Sequence, residues 1–214
     1  METFFVFKVS SCTFAPVMRE KILSNAAELF LNYGFKSITM DDISNHIGIS
    51  KKTIYQHFDN KTTLVEAVSL HVFNTISCGI NDICSTKKDP IEEIFDIKQF
   101  VMEHLKDEKS SPQYQLQKYY PKIFNTLKKK QFDIMQECVK DNLLRGVEIG
   151  LYRPSINIEF ISRIYFNSMV ALKDKELFPL NHFSVNTLMV YFLEYHLRGI
   201  CTEKGIQKLE QLLK

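Results

Sequence analysis

The chain has 214 residues, of which 45% are hydrophobic and 24% are charged, so its composition is that of a folded globular protein and excludes a wholly disordered one. The formal net charge of +2 at pH 7 is too small to indicate any charged partner, and evidence for such a partner must therefore be local. No stretch approaches twenty uncharged apolar residues, and the sequence accordingly predicts no membrane-spanning helix.

Residues 1–17 differ in character from the rest of the chain, because they are rich in Phe and Val and poor in charge. A signal peptide is not indicated, since the acidic Glu2 stands at the front and Lys8 interrupts the apolar run. We therefore expect residues 1–17 to be a tail outside the fold, which is either disordered or the product of a start codon assigned too early.

Helical periodicity starts at Met18 and continues through most of the chain, with no strand pattern of any weight and no internal repeat. Between residues 18 and 64 the pattern predicts three helices and the start of a fourth. Gly34 ends the first helix, Gly48 separates the second from the third, and Asn60 caps the fourth. A glycine turn between two short helices that cross steeply is typical of a helix-turn-helix unit.

The second and third helices of this unit present a set of polar side chains. The apolar residues are spaced to fill one small core: Ile43, Ile47, Ile49, Ile54 and Phe58. The outer faces then carry groups that are suited to phosphates and base edges: Lys51, Lys52, Thr53, Tyr55, Gln56 and His57. Thr39 and Lys61 stand at the starts of the second and fourth helices, where a phosphate also meets free backbone N–H groups.

The remaining chain is predicted to be helical as well. Beyond a polar stretch at 85–89, helices begin at Pro90, Pro112 and Pro121. Two later helices, near 157–173 and 183–200, are apolar on more than one face, which is typical of helices that are buried on all sides. In a chain of this size the pattern predicts that they pack on their own core and against a second subunit. A short amphipathic helix follows at 203–214, and the fold class is all-α.

The cysteines do not form a recognisable site. They are widely spaced: Cys12, Cys78, Cys84, Cys138 and Cys201. None forms a CxxC pair or a zinc pattern, and an odd, scattered set is typical of reduced thiols in the cytosol. We therefore expect no metal. His71 and Cys78 fall on one face of a helix, which keeps a Cys-based redox sensor as a minor alternative.

The segment from Ile38 to Leu64 resembles the DNA-binding domain of the TetR family of bacterial transcriptional regulators. The matching residues are Thr39, Ile43, Gly48, Ile49, Ser50, Thr53, Ile54, Tyr55, Phe58, Lys61 and Leu64. Upstream, the first helix of the family is matched by Ile22, Ala26, Leu29, Phe30, Gly34 and Phe35. The chain departs from the family at Lys52, where Gly is frequent, and at Ser44, where Ala is frequent. The later residues resemble the family only in helical class, length and two apolar final helices.

The resemblance implies a DNA-binding domain at 18–64 and a helical ligand-binding and dimerisation domain at 65–214. It implies a repressor in the bacterial cytoplasm, associated with the nucleoid, that binds a pseudo-palindromic operator in double-stranded DNA as a homodimer and is released by a small apolar effector. The DNA-binding residues are then Thr39, Ser50, Lys51, Lys52, Thr53, Tyr55, Gln56, His57 and Lys61. Such a protein needs no cofactor and is not an enzyme.

An apolar effector requires a cavity, and the aromatic and methionine residues of the second domain are candidates to line it. These are Phe95, Phe100, Phe124, Phe132, Met135, Tyr165 and Met169. An enzyme is the weaker interpretation, because the chain carries no zinc-protease, nucleophile-elbow, P-loop or dinucleotide motif. A helical protein-interaction module that keeps the helix-turn-helix scaffold without binding DNA is the main alternative.

Overall fold

The structure is a computed structural model, which describes residues 17–105, 112–174, 176–179 and 181–213. The helices are α1 (Val17–Tyr33), α2 (Met40–Ile47), α3 (Lys51–Tyr55), α4 (Lys61–Ser85), α5 (Pro90–Leu105), α6 (Pro112–Tyr119), α7 (Pro121–Glu148), α8 (Ile158–Ala171), α9 (Val185–Ile200) and α10 (Glu203–Leu212). Within the described ranges the β-structure is one isolated bridge between Tyr152 and Cys201, so the all-α prediction is confirmed. The predicted tail falls on residues 1–16, outside the described residues, and on Val17, which begins α1.

The ends of the first helices follow the caps that the sequence predicts. Gly34 and Gly48 both have positive φ angles, of 88° and 74°, which a residue with a side chain rarely adopts. Thr39 forms a complete capping box with Asp42 at the start of α2, and the side chain of Asn60 accepts a hydrogen bond from the Thr63 N–H at the start of α4. These local bonds hold α2 and α3 as short helices that a tight turn connects.

One hydrophobic core joins the helix-turn-helix unit to later helices. The buried side chains of α1 to α4, including the fully buried Ile43 and Ile54, share this core with Leu116 of α6 and with Ile123 and Leu127 of α7. Helix α4 runs without a break through the predicted domain boundary at 64/65. A rigid helix and a shared core therefore connect the two parts of the chain.

Helix α4 continues to Ser85, because the apolar pattern extends to the polar residues that follow it. Its length and composition alone would allow it to cross a membrane, and core helices of folded domains have the same properties. Leu64, Val65 and Val68 are buried in the first core, and α4 packs against α1, α5 and α7. One helix of this length and composition is weak evidence for a membrane span.

A second core holds the far end of the molecule together. It is built from α5, α7, α9 and α10 around fully buried residues such as Ile91, Leu197 and Leu209. A buried ion pair lies beside it, in which the Arg145 Nη2 atom donates to both carboxylate oxygens of Glu93 at 2.6 and 2.7 Å. These two residues are 52 positions apart in the chain, so the pair ties α5 to α7.

Helices α8 and α9 bury one face and expose another. Phe166, Leu193 and Leu197 point into the protein. On the outer faces large apolar and aromatic side chains remain exposed: Phe160, Ile164, Tyr191 and Tyr195. The prediction that both helices are apolar on more than one face agrees with this arrangement, since a single chain leaves the outer faces uncovered.

Candidate nucleic-acid interface and ligand cavity

Backbone hydrogen bonds to Ser44 hold the turn between α2 and α3. The N–H groups of Gly48 and Ile49 both donate to the carbonyl of Ser44 at 3.0 Å. Ser44 itself is buried, and its hydroxyl donates to the Asp41 carbonyl at 2.9 Å. A polar residue is tolerated at this helix interface because its hydroxyl is hydrogen-bonded within its own helix.

Five of the predicted DNA-binding residues have their side chains engaged within the protein. Thr39 is bonded to Asp42 in the capping box of α2. Ser50 caps α3, and its hydroxyl lies 2.8 Å from that of Thr53. The Lys51 ammonium pairs with Asp41 at 2.8 Å, and that of Lys61 donates to the Lys36 carbonyl at 3.3 Å. Burial lowers the pKa of Lys61, although the nearby carboxylate of Asp42 opposes this shift.

The other predicted residues lie together on the outer side of α3 and its last turn. Lys52, Tyr55 and Gln56 are exposed, and none makes a side-chain hydrogen bond or ion pair to another described residue. His57 is half-buried beside the ring of Phe58. Lys52 and Gln56 are four residues apart, so they share one face of the helix. This face offers a cation, an amide and a phenol to a partner without breaking an existing contact.

The loop between α1 and α2 is fastened to α6. The Lys36 N–H donates to the Gln115 side chain at 3.0 Å, and that side chain lies where a Cβ atom on Gly34 would collide with it. The Lys36 ammonium also lies 4.8 Å from the centre of the Tyr119 ring. Glycine is needed at position 34 for its φ angle, whereas the tip of the flexible Gln115 side chain could shift to make room for a Cβ atom. Sequence reasoning did not predict this contact.

A cavity of about 270 Å³ lies between α1 and the helices from α4 to α9. Its lining is mostly aliphatic, aromatic and methionine side chains, and it includes four of the seven residues that the sequence singled out: Phe124, Met135, Tyr165 and Met169. The α1 residues Ala27, Phe30 and Leu31 also reach the cavity. A molecule bound there would therefore touch the helix-turn-helix unit directly.

Phe95, Phe100 and Phe132 lie outside this cavity, whereas the sequence predicted that they line it. Phe95 packs against the second core, and Phe100 lies over Gly79 of α4, where no side chain would fit beneath it. Phe132 stacks edge-on against Phe166 of α8. Their places are taken by aliphatic residues, such as Ile76 of α4, which sequence reasoning could not separate from ordinary core residues.

The cavity wall carries several uncharged polar side chains, among them Ser69, Tyr165 and His196. The Ser69 hydroxyl is buried without a hydrogen-bond partner among the described residues. Tyr165 and His196 lie with their ring centres 5.1 Å apart, and the described residues provide no hydrogen bond to either side chain. Burial raises the pKa of Tyr165 and lowers that of His196 to about 4, so both are neutral at pH 7. Polar atoms without partners in an apolar cavity favour a ligand with its own hydrogen-bonding groups.

Because His196 is held neutral, the protein should lose stability in acid. The pKa of His196 is about 4 in the folded state and 6.5 in the ordinary imidazole, so the unfolded chain takes up the proton first as the pH falls below 6.5. Lowering the pH from 7.5 to 5 should therefore cost about 2 kcal/mol of unfolding free energy through this residue. Urea unfolding at both pH values checks this, and a His196→Phe variant should lose that part of the pH dependence.

Metal binding receives no support from the residues that the structure describes, since no three His, Cys, Asp or Glu side chains converge there. His71, which the sequence pairs with Cys78, lies instead 3.6 Å from the Glu20 carboxylate. Cys78 is exposed. Among the described residues, no group of three such side chains forms around His71 or Cys78, so the hypothesis of a sensor at these two residues gains no support.

The N-terminal part of the chain is similar to bacterial transcriptional regulators. Residues 22–68 match the family model of bacterial regulatory proteins of the tetR family. The HTH-type transcriptional repressor KstR2 of Mycolicibacterium smegmatis is 25% identical over 152 residues, which cover 68% of this chain and 72% of that protein. IcaR of Staphylococcus epidermidis, a negative regulator of the biofilm operon icaADBC, is 39% identical over 57 residues, or 27% of this chain and 31% of IcaR.

Solved structures show the same fold over most of the chain. A putative transcriptional regulator from Saccharomonospora viridis, solved in complex with choline, superimposes with a TM-score of 0.70 at 16% identity. The superposition covers 87% of this chain and 98% of that protein. At this identity the likeness concerns the fold, which consists of a helix-turn-helix unit and a helical second part.

Proposed function

We propose, from the match of residues 22–68 to the tetR family model and the similarity to KstR2, that this chain is a DNA-binding transcriptional regulator of that family, a repressor that binds a pseudo-palindromic operator as a homodimer. Residues 18–64 form the DNA-binding domain in this proposal, and residues 65–214 bind the effector and the second subunit. The observation that carries it is the exposed face of α3 and its last turn, where Lys52, Tyr55 and Gln56 make no side-chain hydrogen bond or ion pair with another described residue. Two such helices, about 34–36 Å apart in a dimer, read successive major grooves.

The outer faces of α8 and α9 are the proposed dimer interface. Exposed aromatic and aliphatic groups on two adjacent helices form an apolar surface, and a twofold axis would cover it with its own copy as an isologous four-helix bundle. Tyr191 is 62% exposed and Tyr195 79% exposed, so both side chains are open to contact with a second subunit. Dimerisation also doubles the number of DNA contacts.

Tyr195→Glu should convert the dimer to a monomer. The new carboxylate would be buried without a partner twice in each dimer, and burying an unpaired charge is strongly unfavourable. Sedimentation velocity of the purified protein at micromolar concentration measures the change. Tyr33→Glu on α1 is the matched control, since Tyr33 is also exposed but lies on another helix. A Tyr195→Glu protein that remains dimeric would rule out this interface.

The proposed effector is a small, mostly apolar molecule in the cavity. Its binding would alter the contacts of α4, which starts beside α3, and those of α6, which holds the α1–α2 loop through Gln115 and Lys36. Such a ligand releases DNA only if it binds one spacing of the two α3 helices better than the other. A coupling of this kind is about 5–150-fold in operator affinity.

The test of this function is fluorescence anisotropy of the protein with DNA from upstream of its own gene. We expect tight binding that survives scrambled competitor DNA and weakens steeply with salt. Equal binding to both duplexes, and no preferred site in a random-sequence selection, would favour the protein-interaction module instead. Apolar compounds are then screened for loss of the signal.

The screen should compare apolar compounds with and without an acidic group. Three lysines on the cavity lining have no ion pair in the described part of the chain: Lys98, Lys128 and Lys173. The one carboxylate on the lining, that of Glu93, is already paired with Arg145. The comparison shows whether the ligand uses the lysines or only the neutral groups of Ser69, Tyr165 and His196.

A further inference from the structure

Two cysteines from distant parts of the chain meet beside the cavity. Cys84 lies in the last turn of α4, and Cys138 lies in the middle of α7. Each thiol is the neighbour that most strongly shifts the pKa of the other. Asn81, one turn before Cys84 on the same face of α4, is also the hydrogen-bond partner of Cys138, with Sγ and Oδ1 4.0 Å apart. The two contacts together place Cys138 against the face of α4 that carries Cys84.

The two thiols differ in their chemistry. The hydrogen bond between them lowers the pKa of Cys138, although burial and nearby carboxylates oppose this, and it raises the pKa of Cys84 together with burial. Cys138 is therefore the better nucleophile, because the thiolate is the form that reacts. Both residues are half-buried rather than sealed in the core, so a small oxidant has access to them.

We propose that Cys84 and Cys138 form a reversible disulfide that ties the end of α4 to α7 and weakens operator binding. A peroxide is the oxidant. The Cys138 thiolate attacks one peroxide oxygen, the O–O bond breaks, and Cys138 becomes a sulfenic acid while hydroxide leaves. The Cys84 sulfur then attacks the sulfenic sulfur, and its proton and the displaced hydroxyl leave as water. A dithiol reductant reverses the reaction by thiol–disulfide exchange.

The bond would act on DNA binding through α4. The two thiols are free in this structure, so forming the disulfide brings the sulfurs to bonding distance and draws the last turn of α4 towards α7. Helix α4 continues without interruption to Lys61, where it meets the loop after α3 and the Lys36 carbonyl. A disulfide at one end of this helix therefore restricts the position of α3 at the other end. Transient disulfides of this kind in reducing compartments are usually catalytic or redox-sensing.

The experiment treats the full-length protein with a small excess of hydrogen peroxide and follows two readouts. Intact mass should fall by about 2 Da as two thiol hydrogens are lost, and peptide mapping without reductant should show the peptides of Cys84 and Cys138 linked. Operator affinity by anisotropy should fall about fivefold or more and recover with dithiothreitol. Cys84→Ser and Cys138→Ser should each abolish both effects, whereas Cys78→Ser, on the exposed side of α4, should retain them.

The two readouts separate the possible failures. The proposal is overturned if no linked Cys84–Cys138 peptide appears, or if the disulfide is made mainly by Cys12, Cys78 or Cys201. This holds whether or not the operator affinity changes. A linked peptide with unchanged operator affinity overturns the regulatory part. If the reduced protein has no specific DNA site at all, the proposed function fails, and the peptide map still decides whether this pair is a disulfide site.

Discussion

A protein in which Lys52 and Gln56 are both replaced by alanine should bind its operator on the order of 1,000-fold more weakly than the wild type. Each base or phosphate contact that a side chain of this kind makes is worth about 1–3 kcal/mol, and the dimer loses each of the two contacts twice. Both side chains are exposed and make no side-chain hydrogen bond or ion pair with another described residue, so their loss should leave the fold intact. Anisotropy titrations at several salt concentrations measure the affinity.

Two controls sharpen this experiment. Lys51→Ala should have a smaller effect than Lys52→Ala, because the Lys51 ammonium pairs with Asp41 and has to leave that partner before it can reach a phosphate. Lys129→Ala, on an exposed face of α7, should have none. Circular dichroism confirms that each variant is folded. If Lys52→Ala binds the operator as tightly as Lys129→Ala does, α3 is not the recognition helix.

Replacing Arg145 by alanine should lower the free energy of unfolding by about 3–5 kcal/mol, because it leaves the Glu93 carboxylate buried without its cation. Only 1% of the Glu93 side chain and 17% of the Arg145 side chain are exposed. Burial acts to lower the pKa of Arg145, but its hydrogen bonds to Glu93 and Asp141 outweigh this and raise it. Asn142 also donates to Glu93 at 2.8 Å, so the carboxylate retains one neutral donor.

Urea unfolding of purified protein at pH 7 tests this result. Arg163→Ala is the matched control, since Arg163 pairs with Glu159 one turn away on the surface of α8, and exposed pairs of this kind contribute little. A Glu93→Gln/Arg145→Ala double variant should recover part of the loss, because the buried group is then neutral. A single Arg145→Ala variant as stable as Arg163→Ala would contradict the assignment of a structural ion pair.

The sequence alone determined the local features of this protein. The helix class and the caps at Thr39, Ser50 and Asn60 depend on residues within a few positions of one another, and these interactions are the same wherever the segment lies. The turn at Gly48 is local for the same reason. The resemblance to the TetR family rests on this same segment, which is why the DNA-binding unit could be predicted from it.

The tertiary structure decided which of the predicted residues are available to contact DNA or to line the cavity. Lys51 and Lys52 are neighbours of the same type, but only the fold brings Asp41 within 2.8 Å of Lys51 and leaves Lys52 without a described partner. Likewise, Phe124 lines the cavity while Phe132 packs against α8, although both are phenylalanines on α7. The two residues of each pair have the same side chain and lie on the same helix. Their surroundings differ because of the helices that pack against them.

The ion pair and the thiol pair are also formed by residues from distant parts of the chain. Glu93 and Arg145 meet across 52 positions, and Cys84 and Cys138 meet where α4 crosses α7. No periodicity within one segment encodes such a meeting, because it depends on the packing of whole helices against each other. The DNA-binding unit could therefore be predicted from the local sequence, whereas its packing against the helices around the cavity exists only in the folded chain.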